Sequence, residues 1–187
     1  MPPPHNLDQL WTGHAHIRVY HPFRVAGEKN PAFNDDDARI LDLKDGVAAA
    51  IETAAAEFAD ALTHLPLFPQ PTILAIVPGS TAADSNANRP MALVAVAIAA
   101  RAPFRLAAQP DTLKRHVTIE KLARGGARFE QIHLDSIRVA DPQAALGSTV
   151  LLLDDVASTG NSILACRRLL QDAGAARVAA LVLGQTE

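Results

Sequence analysis

The run TVLLLDDVASTGNS, residues 149–162, drives an unbroken apolar stretch directly into two adjacent carboxylates and then into small hydroxyl and amide residues. An apolar run with no wet side suits a strand covered on both faces, which is the situation in a parallel sheet flanked by helices. The pattern recurs from residue 72 onward. TILAIV (72–77), FRLAA (104–108) and ARVAALVLG (176–184) read as further strands, separated by helical segments. The chain is therefore expected to be α/β, with a Rossmann-like, mostly parallel sheet between helices.

The connecting segments carry their own punctuation. An apolar helix runs from about Pro90 to Arg101, with proline tolerated in its first turn because the missing amide has no helical partner there, and Pro103 closes it. After residue 160, Ile163, Cys166, Leu169 or Leu170, and Ala173 recur at helical spacing, and Gly174 stands where a left-handed C-terminal cap is favoured. Residues 47–64 are alanine-rich, with Glu52, Glu57 and Asp60 interspersed, and read as an amphipathic helix ended before Pro66; LPLFPQP then serves as a connector. The first 46 residues differ in character. They hold His5, Trp11, His14, His16 and His21, and HIRVY (16–20) and RILDLKDG (39–46) alternate apolar and polar residues as two exposed strands would. Residues 1–46 are thus expected to form a small N-terminal hood or cap on a core spanning 47–187, within a single domain. Residues 110–128 show no period; they carry Lys114, Arg115, Lys121, Arg124 and Arg128 around Gly125-Gly126, and read as a mobile basic arm.

Composition narrows the partners. A net charge of −3 gives no global electrostatic reason to bind nucleic acid or an acidic membrane surface, so any nucleic-acid contact has to be local. The single cysteine, Cys166, can form neither an internal disulfide nor a multi-thiolate metal site, which fits a reducing, cytoplasmic setting. It lies on the apolar side of its helix and reads as structural. The start, MPPPHNLDQLW, has neither the charged nor the apolar region of a signal peptide, and the longest apolar run, Met91–Ala100, is too short to span a bilayer. His14, His16 and His21 lack the further ligands of a zinc site and are assigned to the hood surface; of Trp11, Tyr20 and Phe23, at least two are expected to pack.

The opening stretch nominates the site. In open α/β sheets ligands collect at the carboxyl ends of the strands, where the loop after Asp155 would lie. Successive amides from Ser158 through Ser162, at a helix N-terminus, form a cradle for a phosphate monoester, and glycine at 160 lets the backbone close around the anion. Asp154 and Asp155 are acceptors suited to the vicinal hydroxyls of a sugar, so the unit reads as a pentose 5′-phosphate site. Neither G-x-x-x-x-G-K-[ST] nor G-x-G-x-x-G occurs, which removes the common nucleotide-loop and dinucleotide motifs.

VLLLDDVASTGNS resembles the phosphoribosyl-pyrophosphate (PRPP) signature of type I phosphoribosyltransferases: four apolar residues, two acidic residues, and a Thr-Gly turn ending in Ser or Thr. The resemblance extends more weakly over 72–184, and the order LKR…K…R followed by DDVxSTG is similar to the competence-associated ComF-like branch. It implies a Rossmann-like core with a small hood, and phosphoribosyl transfer from PRPP to a nitrogenous acceptor with release of pyrophosphate. Asp154 and Asp155 would hold the ribose hydroxyls, and Ala157, Ser158, Thr159, Gly160, Asn161 and Ser162 the 5′-phosphate. Pro78, Gly79, Ser80 and Thr81, with Arg89 as the first cation available, stand where the family has its pyrophosphate loop. Lys114, Arg115, Lys121, Arg124 or Arg128 would close over the leaving group, with Gly125-Gly126 as a hinge; Lys114 and Arg115 are the catalytic candidates. Mg²⁺ would be held through substrate oxygens, with Asp154 and Asp155 as candidate protein ligands and no dedicated metal cluster. A homodimer is implied by resemblance alone. Two departures matter: Ser158 stands where the 6-oxopurine enzymes place an aspartate, which disfavours hypoxanthine or guanine as acceptor, and PGSTAADSNAN lacks an early cation. Two functions follow, an enzyme and a non-catalytic PRPP-binding regulatory or DNA-uptake accessory protein.

Overall fold

The computed structural model describes residues 2–65, 72–101, 106–120 and 129–186. Five strands form one all-parallel sheet: β1 (Ala15–Tyr20), β4 (Thr72–Ile76), β5 (Leu106–Ala108), β8 (Thr149–Ala157) and β9 (Arg177–Thr186), in the spatial order β1-β9-β8-β4-β5. Two short antiparallel pairs lie outside it. One joins β2 (Arg24–Val25) to β3 (Glu28–Lys29), the other β6 (Leu113–Arg115) to β7 (Ile137–Val139). The helices are α1 (Asp35–Lys44), α2 (Ala48–Leu62), α3 (Pro90–Arg101), α4 (Glu130–Ser136), α5 (Pro142–Ala145) and α6 (Asn161–Asp172). The expected class, a parallel sheet between helices, is what the chain adopts.

The sheet is apolar on both faces because successive strand residues point to opposite sides. Leu151 and Leu153 of β8 join Leu74 and Ile76 in a core under α2 and α3, whereas Val150 and Leu152 join Ile73 and Ala75 in a second core under α6. Cys166 lies fully buried in that second core, where burial pushes its thiol far above the ordinary range. Gly174, at φ +90°, follows α6 in the left-handed conformation its position predicted.

Three expectations are corrected. Residues 39–44 belong to helix α1, not to a strand: Asn34 accepts from the Asp36 and Asp37 amides in a capping box, and the buried residues Asp37, Ile40 and Leu43 recur every third position, a spacing that period-2 alternation does not produce. HIRVY is not an exposed hood strand, since β1 pairs with β9 as the edge of the main sheet and His16 is buried. Its companions divide as expected: Tyr20 is buried and Trp11 packs on the core, while Phe23 stays exposed against Phe33. Part of the expected basic arm is ordered structure, because Leu113–Arg115 pairs with β7; Lys121, Arg124, Arg128 and Gly125-Gly126 lie outside the described residues.

The topology fixes where a ligand can sit. From β4 the chain passes through α3 to β5 on one side, and from β8 through α6 to β9 on the other, so the winding reverses between the adjacent strands β4 and β8. The loops leaving their carboxyl ends diverge and open a crevice at this reversal.

Candidate functional site

A cavity of about 480 Å³ occupies this crevice, walled by Pro78–Thr81 after β4, by Asp154 and Asp155 of β8, and by Ser162 in the first turn of α6. Lys44, Arg89, Arg115 and His133 complete its polar lining. The structure thus gathers nine of the residues nominated from sequence, Pro78, Gly79, Ser80, Thr81, Arg89, Arg115, Asp154, Asp155 and Ser162, around one space.

The carboxylate pair is held locally. The Asp155 amide donates to Asp154 Oδ1 at 2.9 Å, and the Val156 amide donates to Asp155 Oδ1 at 2.6 Å, so each carboxylate is turned by the next peptide and keeps its second oxygen for other partners. Burial and then the neighbouring Asp155 charge push the Asp154 carboxyl well above the usual carboxylate range, and Lys44 acts in the opposite direction. Lys44 Nζ stands 4.0 Å from Asp155 Oδ1 and 5.5 Å from the Tyr20 ring centroid. It comes from the last turn of α1, and no motif near the carboxylates announced it; the only signal available was a cation at a helix end.

After Ala157 the chain turns through Ser158 and Thr159, both exposed, into Gly160 at φ +74°. Gly160 is the N-cap of α6 and offers no side-chain acceptor to its amides; the Asn161 amide donates to Thr159 Oγ1 at 3.5 Å, and the first turn presents the helix's positive pole at this end. A methyl group at 160 would also lie 3.2 Å from His14 Cε1. The loop is braced from behind: Gln185 Nε2 donates to the Ser158 carbonyl at 3.0 Å.

The opposite wall is fastened by two arginines. Arg89 Nη2 donates to the Thr81 carbonyl at 2.8 Å, and a Cβ on Gly79 would come within 2.5 Å of Arg89 Nη1, so the arginine spans both ends of the 79–81 turn. Arg115 is 2% exposed and donates to the carbonyls of Gly79 and Pro78, to Ser136 Oγ and, at 3.3 Å, to His133 Nδ1. Burial lowers its pKa without making neutrality accessible. Beyond the turn, Ser85 Oγ and the Asn86 amide both donate to Asp111, at 2.9 and 2.6 Å, and the Ile119 amide donates to Ser80 O at 2.9 Å.

Of the cations nominated for closure, the two among the described residues, Lys114 and Arg115, are placed otherwise. Adjacent residues on a strand face opposite ways. Lys114 is turned to Asp111, 3.7 Å away, and is not part of the cavity wall, while Arg115 is buried with its donors committed to the loop it supports. Arg115 therefore shapes the cavity from within. His133, like Lys44, escaped the sequence reading, because α4 is a seven-residue helix in a stretch with no apolar period. Among the described residues no group of three or more His, Cys, Asp or Glu is arranged to hold a metal ion, and no helix is long and apolar enough to cross a membrane.

No protein-family model and no curated protein matches the chain. Among solved structures, the chain is similar to the hypoxanthine phosphoribosyltransferase of Trypanosoma cruzi at 13% identity and a TM-score of 0.40, over 78% of this chain and 66% of that one. It is also similar to the hypoxanthine phosphoribosyltransferase of Staphylococcus aureus at 12% identity and a TM-score of 0.42, over 73% of each chain.

Proposed function

We propose that this chain binds PRPP with Mg²⁺ and transfers its 5-phosphoribosyl group to a nitrogenous acceptor. One juxtaposition carries the reading: the carboxylate pair sits near the carboxyl end of β8, which leads through Ser158 and Thr159 into the Gly160-opened terminus of α6, facing the Arg89-spanned turn 79–81 across the switch-point crevice. The α6 terminus with Ala157–Ser162 takes the 5′-phosphate, Asp154 and Asp155 take the ribose hydroxyls, and Pro78–Thr81 with Arg89 takes the pyrophosphate arm. In the transfer the C1–O bond breaks with its electron pair leaving on pyrophosphate, the acceptor nitrogen forms the C1–N bond with its lone pair, and the nitrogen's proton passes to solvent.

Asp154 and Asp155 fit Mg²⁺. They are hard oxygen donors at a point where a desolvated carboxyl beside a second carboxylate calls for positive charge, and this ion takes one or two carboxylates together with substrate oxygens. Bound there with PRPP, the ion would neutralise charge building on the departing pyrophosphate.

A second reading, PRPP binding without turnover, draws on the positions of Lys114 and Arg115. With one paired to Asp111 and the other buried, neither is a free cation for the leaving group. The test is calorimetric titration of PRPP with and without Mg²⁺ into wild type and Asp154→Asn/Asp155→Asn, followed by a pyrophosphate-release assay over a panel of nucleobases. Mg²⁺-dependent binding lost in the double variant is expected. Binding with release by at least one base supports the enzyme, binding with none supports the second reading, and no binding by folded wild type removes both.

A further inference from the structure

His133 is 2% exposed and lies in the cavity wall, and its Nε2 is buried without a hydrogen-bond partner. Its other ring nitrogen, Nδ1, faces Arg115 Nη2 at 3.3 Å. A guanidinium has only donors, so Nδ1 accepts, and the proton of the neutral ring resides on Nε2. Burial and the adjacent Arg115 charge both lower the ring's pKa, which keeps it neutral near pH 7. The result is a fixed, desolvated N–H donor with no partner among the described residues to receive its hydrogen bond, a costly arrangement unless a ligand completes it. Nearby Ser136 is engaged elsewhere, its hydroxyl donating to the Ile132 carbonyl at 2.6 Å and its oxygen receiving Arg115.

The partner of this donor follows from what Arg115 also holds. The same guanidinium that fixes the ring grips the carbonyls of Pro78 and Gly79, so His133 and the 78–81 turn are oriented by one side chain. We propose that His133 Nε2–H donates a hydrogen bond to a phosphoryl oxygen of a ligand's diphosphate arm, with Arg115 as the positioning residue that selects its tautomer. The inference rests on the PRPP reading and deepens it, since it adds to a turn poor in side-chain cations a neutral donor that no motif supplied. A neutral donor binds an anion by direction more than by charge, and it does so at a stated atom.

The test compares wild type with His133→Phe, which keeps the ring and removes the donor, and His133→Gln, which restores an N–H near the same reach. PRPP with Mg²⁺, inorganic pyrophosphate and ribose 5-phosphate are each titrated calorimetrically. His133→Phe is expected to weaken PRPP and pyrophosphate by roughly tenfold or more, to leave ribose 5-phosphate unchanged, and to be partly rescued by Gln. Unchanged PRPP and pyrophosphate affinity in a folded variant, or an equal loss for all three ligands, overturns the proposal while leaving the PRPP site standing. Wild type that binds none of the three overturns both. Should the Phe variant not fold, ¹⁵N spectra of histidine-labelled wild type decide: a proton on Nε2 whose resonance shifts with pyrophosphate supports the assignment, and a proton on Nδ1 or an unmoved resonance refutes it.

Discussion

His14 Nε2 and Gln185 Oε1 lie 2.6 Å apart, while the amide nitrogen of the same glutamine holds the Ser158 carbonyl at 3.0 Å and its own neighbour Thr186 O at 2.9 Å. The residue just before the first strand and a residue near the end of the last are thereby joined behind the turn proposed to receive a phosphate. Residues 171 positions apart in sequence meet here because β1 and β9 are parallel neighbours.

Gln185→Leu keeps a side chain of similar size and deletes all three polar links. At about 1 kcal/mol for each intramolecular hydrogen bond, the Ser158–Gly160 turn should lose its fixed orientation while the sheet stays intact. The expected outcome is ribose 5-phosphate binding weakened by roughly five- to tenfold with pyrophosphate affinity unchanged, measured by titration calorimetry. Equal affinity for ribose 5-phosphate in the variant would mean that the turn is held without the brace.

Gly79→Ala tests the opposite wall. The new methyl would meet Arg89 Nη1 at 2.5 Å, and the far end of a long side chain can move aside, so the fold should survive with its melting temperature within about 2 °C of wild type. What it cannot keep is Arg89 spanning the turn, whose Nη2 bond to Thr81 O should be lost. Pyrophosphate and PRPP should bind several-fold more weakly, with ribose 5-phosphate unaffected. An unaltered pyrophosphate affinity would remove Arg89 from the site.

Asp154 links the site to pH. Burial and Asp155 raise its folded pKa above the unfolded value near 3.9, so the native state holds this proton more tightly than the unfolded chain does. The associated stability is fully present below the unfolded pKa and is lost as pH rises through the folded one. Asp154→Asn cannot lose it, and its Oδ1 can still accept the Asp155 amide. The variant should therefore melt higher than wild type at pH 7–8, with the difference shrinking toward about pH 4, while Mg²⁺-dependent PRPP binding disappears. Thermal melts over this range check the sign; a variant less stable than wild type at neutral pH would contradict the raised pKa.

How much of this was legible follows from where the information resides. The strands of the sheet core and α3 announced themselves because a buried strand or helix writes its environment into consecutive residues, and the Asp154–Ser162 unit did so because one short stretch carries both carboxylates and cradle. RILDLK misled because Ile40 and Leu43 satisfy a helical period while the local alternation imitates a strand; the deciding signal was the Asn34 cap several residues upstream. Lys44 and His133 were invisible for a different reason. Each reaches the cavity from an element with no motif, and only the packing of α1 near β8 and of α4 against α6 brings them there. Lys114 and Arg115 were found as cations but their partners Asp111 and the Gly79 carbonyl were not, since composition reports charge and not its partners.

Arg167 explains how the N-terminal segment stays part of the core, and it supplies the last prediction. This 5%-exposed side chain of α6 donates through Nη1 to the Trp11 carbonyl at 2.7 Å and to Val178 O, and through Nη2 to Leu10 O at 3.3 Å and to Gly13 O. One guanidinium thus ties the turn before β1 to β9 and places His14, the next residue, over Gly160. Arg167→Met leaves buried carbonyls without donors and should cost about 3 kcal/mol, which for a chain of this size is a fall in melting temperature of roughly 6–12 °C. Arg167→Lys should not recover it, because a single ammonium lacks the planar fork that reaches several carbonyls at once. Ribose 5-phosphate affinity should drop in parallel, as His14 loses its seat. A melting temperature within about 2 °C of wild type would show that other contacts hold the segment in place, and the link from Arg167 through His14 to the phosphate turn would then fail.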